Sequence, residues 1–412
     1  MTTGPADRPT VRIERLAAGG DGVGRLADGR TLFVPRTAPG DLVEVGELRL
    51  HKRFARGRIA RLVEAGPGRV APRCAHYERD RCGGCQWQHL DVAHQREAKR
   101  AVIGEALRRL GKLAVDDPDV EPGDLEFGYR TKITLARGKG GELGLHRDGE
   151  PERIFSLERC ELIASALQEA WVRLRPLRAA LPKELDRLVL RLDRAGGIHL
   201  IVETTGQQVW DASALAPVGT IWWRPEGGSP RVLAGGERGT AYPATVFEQV
   251  NPVMGDRVRH WAVAKAGEVR GKHCWDLYAG IGETTAMLVE RGATVESVEG
   301  DRRAVEVALK HPGLRTPDFG RALAGKVEEV LGSLRAPDLV FTNPPRVGMD
   351  ERAVAGIRAA RPGRLIYISC DPATLARDVA RLGAGWRVAA LRGFDLFPQT
   401  AHVETVLVLE AA

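Results

Sequence analysis

Cys370 is the residue of this sequence with the clearest potential for covalent chemistry. The apolar run 365–369 predicts a strand, and the residues after Pro372 predict a helix. Cys370 therefore lies where a strand passes into a turn, which in open α/β sheets is the edge that binds ligands. The Asp371-Pro372 pair favours a turn that leaves the thiol accessible. An accessible thiol can be a nucleophile, whereas a cysteine packed inside the strand would be a small buried hydrophobe.

Further polar side chains lie at the ends of predicted strands. Asn343 follows the apolar stretch that begins at Asp338, and two prolines fix its position. Glu404 and His402 come just before the last predicted strand, 405–409, and would share a face if the strand already runs there. The simpler alternative places both in a solvated loop. A carboxylate such as Glu404 is a suitable general base.

The stretch 274–287 predicts a strand, a glycine turn and a helix, an arrangement that can bind a nucleoside. Gly280 and Gly282 let a ligand approach the backbone. A second predicted strand, 294–299, ends in Glu299, whose carboxylate can accept both ribose hydroxyls. Because no third glycine follows at position 285, the pattern does not favour a pyrophosphate. S-adenosylmethionine, which has ribose and adenine but no phosphate, fits better.

Four cysteines have the spacing of a metal site. Cys82 and Cys85 have C-x2-C spacing, Cys74 lies eight residues upstream, and Cys160 follows far downstream. Four thiolates suit either Zn²⁺ or an iron–sulfur cluster, and the spacing does not decide between them. The clustering argues against unligated buried thiols.

The composition indicates a soluble globular protein of two or three domains. The chain has 412 residues, of which 43% are hydrophobic. No apolar run approaches the ~20 residues that a membrane helix needs, and residues 1–7 lack the features of a signal peptide. We therefore expect a cytoplasmic location, where cysteines serve metal binding or catalysis more often than disulfides.

The net charge of +7 is unevenly distributed along the chain. Residues 1–112 hold 22 Lys and Arg against 13 Asp and Glu, a net +9, so the remainder carries −2. This asymmetry favours a nucleic-acid partner, although a solvated surface is the simpler explanation. The excess is densest at Arg49, Lys52, Arg53, Arg56, Arg58 and Arg61.

The predicted elements place these residues on an α/β framework. Short strands with glycine turns over 10–65 predict a small β-barrel. Helical periodicity covers 91–112 and about 161–180. Residues 127–132 combine aromatic and basic side chains, which suits either RNA contact or a strand with one wet face. Strands are predicted at 11–16, 31–34, 42–45, 131–136, 188–192 and 198–203.

These motifs together resemble a known family. Residues 10–65 resemble a TRAM domain, an RNA-binding barrel related to OB-folds. From about residue 10 to 410 the chain resembles the S-adenosylmethionine-dependent RNA uracil-5-methyltransferases that carry a TRAM domain and a 4Fe-4S cluster. The shared motifs are Cys-Gly-Gly-Cys at 82–85, Phe-Glu-Gln-Val-Asn at 247–251, the glycine turn at 276–282, Asn-Pro-Pro-Arg at 343–346, Ser-Cys-Asp-Pro at 369–372, and Phe-Pro-Gln-Thr at 397–400 continuing to 404.

The resemblance implies a fold and a division into domains. The fold is α/β, with a C-terminal Rossmann-like methyltransferase domain, an N-terminal OB-like β-barrel and a central α+β domain that carries the metal cluster. The implied domains span 8–68, 69–245 and 246–412, and the helical segment 91–124 packs on the methyltransferase domain.

The resemblance also implies roles for individual residues. Cys370 is the nucleophile and Glu404 the proton acceptor. The family usually has Asp where this chain has Asn343, and Glu283 stands where a small polar residue or Asn is common. The implied cofactor-binding residues are Gln249, Tyr278, Gly280, Glu283, Glu299 and Asn343. The implied cluster ligands are Cys74, Cys82, Cys85 and Cys160.

The expected reaction is methyl transfer from S-adenosylmethionine to C5 of a uridine in structured RNA, through a covalent bond between the cysteine and C6. The thiol must be ionised by its surroundings, and the base must leave its stack. The layout leans toward 23S ribosomal RNA over tRNA as partner, and we expect a monomer that needs no membrane and no obligate protein partner.

Two other functions remain open. One is an RNA cytosine-5-methyltransferase, although such enzymes use a second cysteine and the spare Cys274 is poorly placed. The other is a non-catalytic RNA-binding iron–sulfur protein, against which the presence of both Cys370 and Glu404 argues.

Overall fold

The computed structural model describes residues 8–236, 245–316 and 319–412. The segment 1–7, where we expect no signal peptide, and the last residues of the predicted central domain lie outside these ranges. In the described part, no helix is long and apolar enough to cross a membrane. This part of the chain forms three β-sheets of six, seven and eight strands.

The first sheet is the barrel-like N-terminal region. Its strand order is β1-β5-β6-β4-β3-β2, and an apolar cluster of alternating side chains fills it. The predicted strand 11–16 is divided in two, because the Ile13 N–H bonds to Asp41 O and the Glu14 N–H to Val23 O, so the chain changes partner strands there. The strands are β1 (Thr10–Arg12), β2 (Arg15–Leu16), β3 (Gly22–Arg25), β4 (Thr31–Val34), β5 (Leu42–Leu50) and β6 (Phe54–Glu64).

The next strands in the chain are β7 (Val120–Glu121), which joins the third sheet, and then β8 (Lys132–Arg137), β9 (Leu143–Arg147), β10 (Glu150–Ser156), β11 (Leu185–Leu192), β12 (Ile198–Thr204), β13 (Thr220–Pro225) and β14 (Arg231–Ala234). From β8 to β14 they form the second sheet, in the order β10-β9-β8-β11-β12-β13-β14. The predicted strands at 131–136, 188–192 and 198–203 are confirmed as β8, β11 and β12 within a few residues.

The third sheet has the strand order β17-β16-β15-β18-β19-β21-β20-β7. From β17 to β19 neighbouring strands are parallel, and β21 is antiparallel to β19. The order reverses between β15 and β18, which is the switch point where ligands bind in open sheets. The strands are β15 (His273–Leu277), β16 (Thr294–Glu299), β17 (Phe319–Ala324), β18 (Leu339–Thr342), β19 (Arg364–Ser369), β20 (Trp386–Phe394) and β21 (Glu404–Ala411).

Helices cover both faces of the third sheet, so its strands are apolar on both sides. Leu277 and Tyr367 belong to the apolar cluster on one face, and Cys274 and Ile366 to the cluster on the other. In the described part the α-helices are α1 (Ala75–Arg79), α2 (Val92–Arg109), α3 (Ser165–Leu174), α4 (Pro252–Ala264), α5 (Glu283–Glu290), α6 (Arg302–Ala308), α7 (Val327–Val330), α8 (Glu351–Ala360) and α9 (Pro372–Leu382). Short 3-10 helices are Arg175–Ala180, Ser213–Val218, Pro312–Leu314 and Leu331–Ser333.

The segment 91–124 belongs to the third sheet in space, although it precedes the second sheet in the chain. Ile103 and Leu107 of α2 pack in one cluster with Leu375 of α9, and β7 pairs with β20 at the sheet edge. A helix continuing to residue 124 is wrong, because α2 ends at Arg109 and the chain is then extended. Pro118 in this stretch cannot continue a helix.

Candidate active site

Cys370 and Glu404 lie at the same edge of the third sheet. Strands β19 and β21 are antiparallel, with Ser369 opposite Thr405. The next position outward therefore brings Cys370 opposite Glu404, and residues opposite each other in an antiparallel pair share a face. Two residues 34 positions apart in sequence thus form one candidate catalytic pair.

Glu404 is a buried carboxylic acid. The residue is 2% exposed, and its Oε2 atom has no hydrogen-bond partner in the described chain. Burial raises the pKa of Glu404 to about 7, and the Arg346 guanidinium opposes this shift. A carboxyl group that is partly ionised at neutral pH suits general acid–base chemistry.

Cys370 is half-buried at the end of β19. Burial and then the nearby Glu404 raise the pKa of the thiol to about 11, while Arg346 lowers it. The expectation that the surroundings ionise this thiol is therefore wrong for the chain alone, because burial disfavours the charged form. Use of Cys370 as a nucleophile therefore requires that this proton be removed.

His402 lies just outside β21. Burial, then Arg346 and Arg130, lower the pKa of His402 to about 4, so its imidazole is neutral at pH 7. Its ring contacts Phe397 edge to face, with centroids 6.2 Å apart. The alternative of a solvated loop is wrong, because Glu404 is buried and His402 is half-buried.

The turn after β19 is stabilised by the residues of its own short motif. Asp371 is the N-cap of α9 and accepts a hydrogen bond from the Thr374 N–H at 2.8 Å. Pro372 occupies the first turn of the helix, where its missing N–H costs nothing. The Asp371 N–H donates to Ser369 Oγ at 3.2 Å. These contacts fix the backbone on both sides of Cys370.

The ends of β15, β16 and β18 bring four of the expected cofactor residues to one edge. Tyr278 follows β15 with a left-handed φ of 62°, and Asn343 follows β18 with an exposed side chain. Glu299 ends β16 and accepts hydrogen bonds from the N–H groups of Gly280 at 2.9 Å and Asp301 at 2.7 Å. A carboxylate has about four acceptor positions, so Glu299 keeps capacity for a ligand.

The glycine turn is needed for close packing as well as for its backbone conformation. Gly282 has φ 80°, and a Cβ there would lie 2.9 Å from the Ala308 Cβ.

Glu283 follows the glycine turn and begins α5, and its carboxylate forms ion pairs with Arg194 at 2.9 Å and Arg259 at 3.1 Å. Gln249 lies against Gly255, one residue before Asp256, which pairs with the same two arginines.

Asp276 is a polar residue of the cofactor motif for which no role is predicted from the sequence. It is buried in the middle of β15 and accepts a hydrogen bond from the Thr285 hydroxyl at 2.6 Å. Burial raises the pKa of Asp276 to about 7, and the bonds from Thr285 oppose the shift. The contact ties the strand to α5 on the far side of the glycine turn.

Cys74, Cys82, Cys85 and Cys160 line a single cavity of about 290 Å³. Two distant stretches of the chain therefore converge here. No three His, Cys, Asp or Glu side chains of the described ranges are arranged to hold one metal ion. The four thiols therefore line a cavity and do not converge on a single metal position.

Arg130 connects this cavity to the candidate catalytic pair. It lines the cavity, and its guanidinium carbon lies 5.9 Å from the centre of the Phe397 ring. Tyr129 is 5% exposed, and its hydroxyl donates to Pro398 O at 2.9 Å. The prediction that residues 127–132 form an RNA contact or a wet-faced strand is therefore wrong for the buried Tyr129, whereas for the half-buried Arg130 it stays a prediction.

Known families match both ends of the chain. The model of the TRAM domain matches residues 8–60. The model described as tRNA (Uracil-5-)-methyltransferase matches residues 328–412, the region that contains β19, α9 and β21.

Full-length relatives are also found. The chain is 35% identical to an uncharacterized RNA methyltransferase of Gloeobacter violaceus, over 97% of this chain and 96% of that protein. It is 32% identical to the 23S rRNA (uracil(1939)-C(5))-methyltransferase RlmD of Chromohalobacter salexigens, over 97% of this chain and 88% of that protein. Among solved structures, the tRNA (uracil-54, C5)-methyltransferase of Pyrococcus abyssi has a TM-score of 0.71 at 22% identity, over 97% of this chain and 100% of that chain. This last similarity concerns the fold.

Proposed function

The chain belongs to the S-adenosylmethionine-dependent RNA uracil-C5 methyltransferases, and we propose that Cys370 is the nucleophile and Glu404 the general base of this reaction. The enzyme methylates C5 of a uridine in RNA. The observation that best supports the two roles is the strand register, which brings a thiol opposite a carboxyl group whose pKa is about 7.

The reaction needs both residues because uracil C5 is a poor nucleophile. The target base leaves its stack so that the two side chains can reach it. Cys370 Sγ releases its proton to solvent and bonds to C6, and the electron pair of the C5–C6 double bond moves onto C5 and O4. Bound S-adenosylmethionine would supply the methyl group that C5 takes and would leave as S-adenosylhomocysteine. Glu404 then takes the C5 proton, the C5–C6 double bond forms again, and the bond from sulfur to C6 breaks.

The cofactor would lie at the switch point of the third sheet. Glu299 and the open backbone at Gly280 suit the ribose, while Tyr278 and Asn343 border the same edge. The two arginine partners of Glu283 hold its carboxylate in place. Both also pair with Asp256, the residue after Gly255, against which Gln249 lies. Asn343 keeps an acceptor oxygen but lacks the charge of the usual Asp.

A 4Fe-4S cluster is the metal group that best fits the four cysteines. In a cluster each iron takes its own thiolate, so four thiols around a cavity of about 290 Å³ are suitable. Bound there by Cys74, Cys82, Cys85 and Cys160, a cluster would cross-link two distant segments.

The RNA substrate that we favour is 23S ribosomal RNA. The full-length relative from Chromohalobacter salexigens is named for that substrate, whereas the Pyrococcus abyssi tRNA enzyme shares only the fold. The proposal includes a cytoplasmic location and a monomeric protein.

Methylation assays with purified RNA test this function. We expect the protein to produce 5-methyluridine in 23S rRNA, and Cys370→Ala to abolish the product. Cys274→Ala, a buried cysteine of β15 outside the site, is the matched control and should remain active. Formation of 5-methylcytidine would support the cytosine alternative, and absence of any product with rRNA and tRNA would overturn the proposal.

A further inference from the structure

The loop 395–403, which leads directly into Glu404, is bound by residues from outside its own sheet. At its centre Gln399 is buried and has a left-handed φ of 71°. A non-glycine residue keeps this conformation only when its surroundings over-determine it. The Gln399 N–H donates to Gln95 Oε1 at 2.8 Å, and Gln399 Oε1 accepts from Gln95 Nε2 at 3.1 Å. Gln95 of α2 thus forms hydrogen bonds with both the backbone N–H and the side-chain oxygen of Gln399.

The residues that follow Cys85 bind the same loop. The Trp87 N–H donates to Gln399 O at 3.1 Å, and the Ala401 N–H donates to Gln86 Oε1 at 3.4 Å. The Trp87 indole N–H donates to Gly20 O at 2.9 Å in the first sheet. Trp87 is fully buried and packs with Ala401. The cysteine segment therefore joins the barrel to the catalytic loop.

Two further contacts complete this arrangement. The Lys99 ammonium group of α2 is fully buried and donates to Asp395 at 2.6 Å and to Phe397 O at 3.1 Å. Tyr129, which binds Pro398 O, packs in one cluster with Cys85 and Cys160. From residue 395 to 401, the loop is held by α2, by the segment that follows Cys85 and by Tyr129.

We propose that the cysteine segment and α2 position the catalytic base, with Gln86, Trp87 and Gln95 as positioning residues that act through the loop 395–403 on Glu404. Loss of the group held by the four cysteines releases Cys85 and its neighbours Gln86 and Trp87. The loop then loses its supports, and Glu404 moves away from the C5 proton. This inference rests on the proposed function, because it assigns Glu404 the role of base.

A positioning role predicts which step fails, whereas a packing role predicts only loss of stability. In Gln95→Leu the Gln399 N–H loses its acceptor, so we expect kcat to fall about 100-fold, the effect of a displacement of about 1 Å, with KM within twofold. Methyl transfer still occurs but proton removal is slow, so methylated RNA accumulates on Cys370 as a denaturant-stable adduct. Gln95→Glu keeps the acceptor for the Gln399 N–H but turns an oxygen toward the carbonyl oxygens of Trp87 and Leu90, so we expect it to be impaired as well. Glu97→Gln, on the exposed face of α2, should behave as wild type.

Hydrogen exchange gives a readout that does not depend on activity. In wild-type protein stripped of metal by a chelator, and in Gln95→Leu, we expect faster amide exchange across 395–403 and unchanged exchange in β15 and β18. If Gln95→Leu does not fold, Gln86→Ala removes the two hydrogen bonds of a half-buried side chain, from the Ala401 N–H and to Gly83 O, and serves the same test.

Three outcomes would overturn the inference. They are unchanged exchange of the loop after metal removal, normal kcat in Gln95→Leu, or a raised KM in that variant without adduct. If Glu404→Gln itself traps no RNA, the base assignment in the proposed function is at fault, and the exchange measurement still reports whether the cysteine segment controls the loop.

Discussion

Burial raises the cost of ionising both catalytic candidates, and the nearby carboxyl of Glu404 adds to this cost for Cys370. Cys370 and Glu404 share an edge from which water is largely excluded, and burial raises the pKa of both. The exposed Arg346 is the cation that opposes both shifts. A neutral thiol beside a partly protonated carboxyl is inert until a substrate arrives, which protects the cysteine from unwanted reactions of the thiolate.

Substitution of each member of the pair should stop the reaction at a different step. Cys370→Ala should abolish methyl transfer and any covalent adduct, because C5 is never activated. Glu404→Gln should still allow attack at C6 and methyl transfer, but the C5 proton remains, so methylated RNA stays attached through Cys370. Denaturing gels with labelled RNA separate the two outcomes. Normal turnover by Glu404→Gln would show that His402 or a water is the base.

The raised pKa of Glu404 also predicts how stability depends on pH. The folded state holds this proton up to about pH 7, whereas an unfolded glutamic acid releases it near 4.5. Folding therefore binds a proton in this window, and the contribution of Glu404 to stability falls as pH rises from about 4.5 to 7. Glu404→Gln removes the free-energy cost of ionising this buried carboxyl group in the folded state, which is on the order of 3 kcal/mol.

We expect Glu404→Gln to have a higher Tm than wild type at pH 8, with a difference that shrinks toward pH 5. Thermal unfolding at the two pH values measures it. The exposed variant Glu97→Gln should shift Tm equally at both. A Glu404→Gln protein that is less stable than wild type at pH 8 would contradict the assigned burial cost.

At the scale of elements, the hairpin of β5 and β6 carries basic side chains of two kinds. Some form ion pairs within the described chain, and those at the hairpin tip do not. Arg56, Arg58 and Arg61 form ion pairs with Asp21, Glu47 and Glu44, respectively. Arg49, Lys52 and Arg53 at the hairpin tip are exposed, and no ion pair within the described chain involves them. Free cations can neutralise phosphates and release counterions, whereas paired ones must first break a contact.

Lys52→Ala combined with Arg53→Ala should weaken RNA binding and reduce the slope of log K against log salt by about one to two. The matched control, Arg58→Ala with Arg61→Ala, removes the same charge from paired positions and should have the smaller effect. Binding isotherms across a salt series measure both. Equal effects of the two variants would show that net charge alone, and not the hairpin tip, determines affinity.

At the scale of the whole molecule, the cysteine cavity and the third sheet are connected through α2. Lys99 and Asp395 form a fully buried ion pair, 296 residues apart in sequence. Removal of one partner from such a pair leaves an uncompensated buried charge and is strongly destabilising. Helix α2 and the third sheet are therefore joined by a contact that is costly to break.

Anaerobically purified protein should be brown and contain iron and acid-labile sulfide in equal amounts. Cys160→Ser should lose both, because one of four ligands is missing, whereas Cys274→Ser should retain both. Iron and sulfide analysis with absorption spectra measures this. Stoichiometric zinc without sulfide in the wild-type protein would contradict the cluster.

The sequence by itself determined the local features of this protein. The strand β16 and the strand β4 were predicted at the residues observed, because their apolar residues and glycine or acidic ends are local signals. The polar side chains at the ends of β15, β16, β18 and β19 were also identifiable, since parallel strands place their carboxyl ends at one edge. The family motifs indicated the class of reaction.

Tertiary structure decided what depends on atoms from distant segments. The pKa values of Cys370 and Glu404 follow from burial by neighbouring strands, which no local pattern reports. The position of Arg130 depends on the cavity and on the loop 395–403. The bond between Gln95 and Gln399 joins residues 304 positions apart. Local sequence sets backbone preference, whereas burial, charge and hydrogen-bond partners are properties of the assembled fold.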